Sequence, residues 1–196
     1  IGSASIVFQS VINNTIVTPC LLGMDALYTL VHTVVYFFAG PASILVASRQ
    51  AAFAVDLVIM GIVATLIYSY IFRKTGSNVL YVILIGTVLT SLFGSLQTTL
   101  TRVMDPNGYD TLLTTLVASF DNASTGLMAS SLAVLLALAL VFRRDLVLLD
   151  LLTLGKAVAV NLGVDYDRSI RRLLLLVTLY MTVATALVGP LAFLGL

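Results

Sequence analysis

Glutamate is absent from this sequence, cysteine and histidine occur once each, and only 10% of the 196 residues are charged. Each shortage closes off a class of protein. A water-soluble domain carries about 25% charged residues, so this chain lacks the polar surface to cover a globule of its size. The soluble α/β and all-β architectures are thereby excluded. A lone Cys20 rules out an intramolecular disulfide and a cysteine-rich metal site. The formal net charge of +1 gives no electrostatic footprint for nucleic acid. No HExxH, GxSxG or paired Cys/His cluster occurs, so neither an enzyme nor a resident metal or cofactor is expected. Gly155-Lys156 looks superficially like a phosphate loop. However, Asp150 stands where such a loop needs glycine, and Ala157 replaces the hydroxyl residue that would hold Mg²⁺. Any ATP that drives this protein is therefore handled by another polypeptide. Ile1 leads directly into Gly2-Ser3-Ala4-Ser5 without a basic flank, which is not a secretory signal. The missing initiator methionine predicts a processed, trimmed or partly observed protein.

Hydrophobic residues make up 60% of the chain and the mean hydropathy is +1.10. Such surface needs lipid as its solvent, and a bilayer requires about 20 apolar residues per helix. The sequence predicts an all-α polytopic membrane protein with full spans at 23–39, 51–72, 79–103, 125–142 and 173–191. The apolar opening 3–12 reads as part of a sixth. Gly40-Pro41, the turn at 75–78 and Asp105-Pro106-Asn107-Gly108 punctuate these spans. Residues 1–196 form one membrane domain, read as incomplete, with no repeat or soluble insertion. Alternating spans place eight of the ten basic residues, all except Arg49 and Arg102, on one side. By the positive-inside rule that side is the cytoplasm. The connection 104–124 carries Asp105, Asp110 and Asp121 without Lys or Arg and belongs outside.

Several residues within this frame can carry chemistry. His32 is isolated in an apolar span and reads as a neutral imidazole bonded to a neighbouring helix, against the rarer role of proton relay. Asp56 lies near the outer end of its span and reads as an interhelical or interfacial hydrogen-bonding group. Asp25 is placed to cap a helix start and to face its dipole. In the span 79–103, Thr87, Ser91, Gly94, Ser95 and Thr98 share one helical face. That stripe serves either close helix packing or the wall of a wetted passage. The basic connection 143–172 contains a short apolar helical piece at 156–162, bracketed by Gly155 and Gly163. Such a piece either rests on the lipid surface or docks into a cytoplasmic partner and transmits movement.

Three segments together resemble the FecCD-type permease family of ABC importers for iron–siderophores, haem and cobalamin. Gln9, Asn14, Pro19 and Leu22-Gly23 match its Gln, Asn, Pro, Leu-Gly pattern. Leu154-Gly155, Ala159 and Leu162-Gly163-Val164 are similar to its cytoplasmic LG…A..LGV motif. Gly189-Pro190, Phe193 and Gly195-Leu196 are like its GPIxFxGL segment. Asn13-Asn14, Thr18-Pro19 and the stretch from Asn161 to Asp167 resemble the iron-catecholate branch. Lys156-Ala157 departs from the acidic residues that family members often carry there.

The resemblance implies a type II importer permease in the bacterial cytoplasmic membrane. Its partners would be ABC ATPase subunits, an extracytoplasmic siderophore-binding protein and a second permease subunit, in a homodimer or heterodimer surrounded by lipid. It also implies that the ATPases grip Leu154, Gly155, Ala159, Leu162 and Gly163, the coupling helix of the connection 143–172. The face bearing Thr87, Ser91, Gly94, Ser95 and Thr98 would line the path for an intact chelate. Two other classes remain: a secondary transporter driven by an ion gradient, which needs a buried ionisable pair, and a membrane scaffold with no path.

Overall fold

The computed structural model describes residues 1–40, 49–74, 79–116 and 125–190, and those residues form helices without any strand. In chain order they are α1 (Gly2–Ile12), a 3₁₀ turn (Pro19–Leu22), α2 (Met24–Ala39), α3 (Arg49–Lys74), α4 (Val79–Val103), α5 (Pro106–Leu116) and α6 (Thr125–Val141). Three short helices follow, α7 (Arg143–Val147), α8 (Leu149–Thr153) and α9 (Lys156–Asn161), and α10 (Tyr166–Val188) completes the set. Pro41, the turn at 75–78, Asp121 and positions 191–196, with Phe193 and Gly195, lie outside the described residues.

Among the described residues, three helical segments are long and apolar enough to cross a bilayer: Gln50–Ile71, Leu80–Val103 and Tyr166–Val188. Helices α2 and α6 are equally apolar but only 16 and 17 residues long, near or below the lower limit for a span. For α2 the 3₁₀ turn extends the structure on its N-terminal side. Irregular backbone at that depth is tolerated where protein satisfies it, and the Tyr68 hydroxyl donates to the Leu22 carbonyl.

Helix α10 is the centre of the molecule. It packs against α1, α2, α3 and α6, with Leu173, Leu174, Leu176, Val177 and Met181 fully buried. Thr178 and Thr182 donate to the carbonyls of Leu174 and Thr178, so their buried hydroxyls are satisfied within the helix. The expected span 173–191 therefore needs correction at its start, because the helix begins at Tyr166. Asp165 caps it by accepting the Arg168 backbone N–H at 3.2 Å, and Asp167 places a second negative charge on the dipole. Arg168, Arg171 and Arg172 follow in its first turns.

Two further expectations change. The position capping α2 is held by Gly23 in the left-handed region, so Asp25 sits in the first turn and serves the dipole rather than the cap. The predicted break at Asp105-Pro106 proves to be only a short interruption. Proline suits the first helical position, and α5 starts there and packs on α2.

Candidate functional site

On α4 the stripe is open. Thr87, Ser91, Ser95 and Thr98 are exposed, and their hydroxyls donate to the carbonyls of Leu84, Thr87, Ser91 and Gly94 at 2.8, 3.2, 2.8 and 2.8 Å. The buried residues Val82, Gly86 and Phe93 lie on the opposite face. A methyl on Gly94 would meet nothing within 4 Å among the described residues, so within this chain no helix packs closely on the stripe. Because each proton is already engaged within the helix, the face offers mainly acceptor lone pairs and no charge. Such a wall can wet a passage without gripping what moves through it. Gly94→Ala is expected to be accepted and to stabilise the helix by about 0.5–1 kcal/mol, read as a raised unfolding midpoint of the detergent-solubilised protein.

Gln9, Asn14, Pro19 and Gly23 are brought together in one loop that closes on itself and on α4. Gln9 Nε2 donates to the Thr15 carbonyl at 2.9 Å, and Asn14 Oδ1 accepts the Ile16 N–H at 2.9 Å. Pro19 opens the 3₁₀ turn and Gly23 closes it at φ +73°, a conformation that glycine adopts without strain. The turn then lies directly on α4. A methyl on Gly86 would fall 2.5 Å from the Leu21 carbonyl oxygen, and one on Gly23 would fall 2.5 Å from Thr90 Oγ1. Gly86 and Tyr68 were not singled out from the sequence. The signal was a glycine inside a long apolar helix, which marks close backbone approach.

The connection 143–172 divides its motif residues by task. Gly155 and Gly163 both take positive φ, +97° and +82°, so each joint beside α9 requires glycine. The Val164 N–H donates to the Ala159 carbonyl at 3.0 Å and the Gly163 N–H to the Val160 carbonyl at 2.9 Å, which closes the helix. Ala159 is fully buried, whereas Leu154 and Leu162 are 62% and 60% exposed, beside exposed Val158 and Val160. Leu154 and Leu162 thus present an apolar surface and Ala159 seats the helix. Lys156 Nζ lies 3.0 and 2.9 Å from the two carboxylate oxygens of Asp167. Arg172 Nε lies 3.2 Å from Oδ2 of buried Asp145. At the far end of the chain, Gly189 terminates α10 with φ +98° and its N–H donates to the Thr185 carbonyl at 2.8 Å, and Pro190 follows where no helical donor is needed.

His32 and Asp56 are not isolated. His32 Nδ1 of α2 lies 3.1 Å from Asp56 Oδ1 of α3, with side-chain exposures of 13% and 5%. Tyr28 stacks beside the imidazole, its ring centroid 4.4 Å away. Among the described residues no group of three metal-ligating side chains occurs.

The FecCD transport family matches residues 1–196. The chain is 35% identical to the petrobactin import system permease protein YclO of Bacillus subtilis (strain 168), over all of this chain and 62% of that protein. It is 29% identical to the petrobactin import system permease protein FatC of Bacillus anthracis, over 98% of this chain and 54% of that one. With the ferric enterobactin transport system permease protein FepG of Escherichia coli (strain K12) it shares 28% identity, over 57% of that protein. The chain thus spans 54–62% of the length of these relatives. A solved structure described as an inward-facing conformation of a metal-chelate type ABC transporter shares the fold. Its TM-score is 0.71 at 20% identity, over 96% of this chain and 59% of that one.

Proposed function

The chain belongs to the FecCD transport family, and from that premise we propose that it is the membrane-spanning permease part of an ATP-driven importer. The importer carries iron–siderophore complexes into the cytoplasm by alternating access. ABC ATPase subunits bind the apolar surface formed by Leu154, Val158 and Leu162. An extracytoplasmic siderophore-binding protein delivers the chelate at the opposite side, and a second permease subunit completes the path. The open face of α4 is the part of that path supplied here. Relatives named for petrobactin import make ferric petrobactin the first substrate to test.

One observation carries this reading beyond family membership. The apolar side chains of α9 project from the basic end of the protein, on a helix held between two glycine joints. A helix so held, with Leu154 and Leu162 exposed at its two ends, supports docking of a partner there. Co-purification of the full-length protein with the products of its neighbouring genes tests the reading: an ATPase subunit is expected, and its absence argues for another class.

The path is tested separately. Ser95→Cys and Thr98→Cys, made in a Cys20→Ser background, are expected to react with a water-soluble maleimide in assembled complexes. Complete protection of both would support a scaffold with no passage. The paired His32 and Asp56 favour a second reading, a gradient-driven carrier, because such carriers hold ionisable pairs within the membrane. Uptake that collapses with the proton gradient while ATP is present would support it.

A further inference from the structure

Movement imposed on α9 has a mechanical obstacle. The helix is short, and both of its joints are glycines, which add no stiffness of their own. A displacement at Leu154 or Leu162 would dissipate at those joints unless a side chain ties α9 to a helix that crosses the membrane.

One ion pair makes that tie, and a second, from α7, braces the same first turns of α10 on which it ends. Lys156, the first residue of α9, reaches both carboxylate oxygens of Asp167. The Asp167 carbonyl in turn accepts Arg171 Nε at 3.0 Å. One turn further on, Arg172 meets buried Asp145 of α7 at 3.2 Å, and its guanidinium carbon stands 5.6 Å from the Phe142 ring centroid. The start of the connection and the start of α9 are therefore held by the same segment, 167–172. That segment continues into the most deeply packed helix of the molecule.

We infer that the Lys156–Asp167 pair, on a segment braced by Asp145–Arg172, is the positioning contact that passes partner-driven movement of α9 into α10. The inference rests on the importer reading given above. Arg172 with Asp145 fixes the frame, and Lys156 with Asp167 is the link that the moving helix pulls on. The two pairs differ in burial. Asp145 is 4% exposed, so losing its partner disturbs the fold itself. Lys156 and Asp167 are both substantially exposed, and an exposed pair contributes little to stability. Its removal can therefore be read in coupling while the fold stays intact.

The test uses the full-length permease with its ATPase and binding-protein partners in proteoliposomes, with radio-iron-labelled ferric petrobactin as the probe. Lys156→Ala and Asp167→Asn are expected to lower iron imported per ATP hydrolysed by about three- to fivefold, the scale of a modest coupling energy. Hydrolysis and subunit recovery stay within about twofold of the parent in these variants. The exchange Lys156→Asp/Asp167→Lys is expected to restore most of the ratio, which a role in packing alone would not do. An unchanged ratio in the single variants overturns the inference and leaves the importer reading standing. So does a parallel loss of hydrolysis and assembly. Failure of the parent protein to recover an ATPase removes the importer reading itself.

Discussion

His32→Leu in the full-length protein is expected to lower its unfolding free energy by about 1–3 kcal/mol, because it leaves the buried Asp56 carboxyl without its partner inside the helix bundle. Asp56 is 4% exposed, and His32 Nδ1 is 3.1 Å from its Oδ1. Asp56→Leu is expected to cost a similar amount, about 1–3 kcal/mol, since it leaves a buried imidazole nitrogen unsatisfied. The double replacement with leucines removes both polar groups and is expected to come close to the parent, as buried pairs exchanged for apolar residues often do. Denaturant unfolding in detergent measures all three variants. Costs of the two single changes that simply add in the double would show that the groups do not interact. The same double variant separates the functional readings, because an ATP-driven importer retains uptake without the pair and a gradient-driven carrier that uses it does not.

The second large effect is expected at Gly86. Gly86→Ala places a methyl 2.5 Å from the Leu21 carbonyl oxygen and 3.2 Å from Leu22 Cα, both backbone atoms that cannot rotate away. The turn is also fixed from its other side by the Tyr68 hydroxyl. Either α4 or the turn must move, at a cost of about 1–3 kcal/mol for the added methyl. Because α4 carries the open face, a tilt at Gly86 also shifts Thr87, Ser91, Ser95 and Thr98. Uptake should therefore fall well below what the lost stability alone would cause. The matching change at Gly94, on the same helix but facing open space, serves as the control. A Gly86→Ala protein with the parent's unfolding midpoint and full uptake would mean that the turn and α4 are not in contact.

The parts legible in the sequence were those set by local pattern. A 25-residue stretch whose one charged residue is Arg102 marks α4 from Val79 to Val103 with the bounds observed. Gly155 and Gly163 announce the joints of α9 because no other residue accepts their backbone angles readily. The shared face of the five stripe residues follows from helical spacing, and that face is open in the structure. What the sequence concealed depends on contacts between distant segments. The sequence places His32 and Asp56 in two separate apolar spans but does not say that they meet. The start of α10 was hidden by Arg168, Arg171 and Arg172, which end an apolar run without ending a helix. Gln9, Asn14, Pro19 and Gly23 were visible as a motif, but their task, holding a turn against α4 at Gly86 and Thr90, needed the partner helix to be seen.

The central claim is that this chain is the permease part of an ATP-driven importer. Its most direct measurement is uptake of ferric petrobactin by proteoliposomes holding the full-length protein with its ATPase and binding-protein partners. The account predicts uptake that requires ATP and the ATPase subunit and persists when the proton gradient is collapsed. Uptake without ATP, driven by an imposed ion gradient and abolished by its collapse, would contradict it.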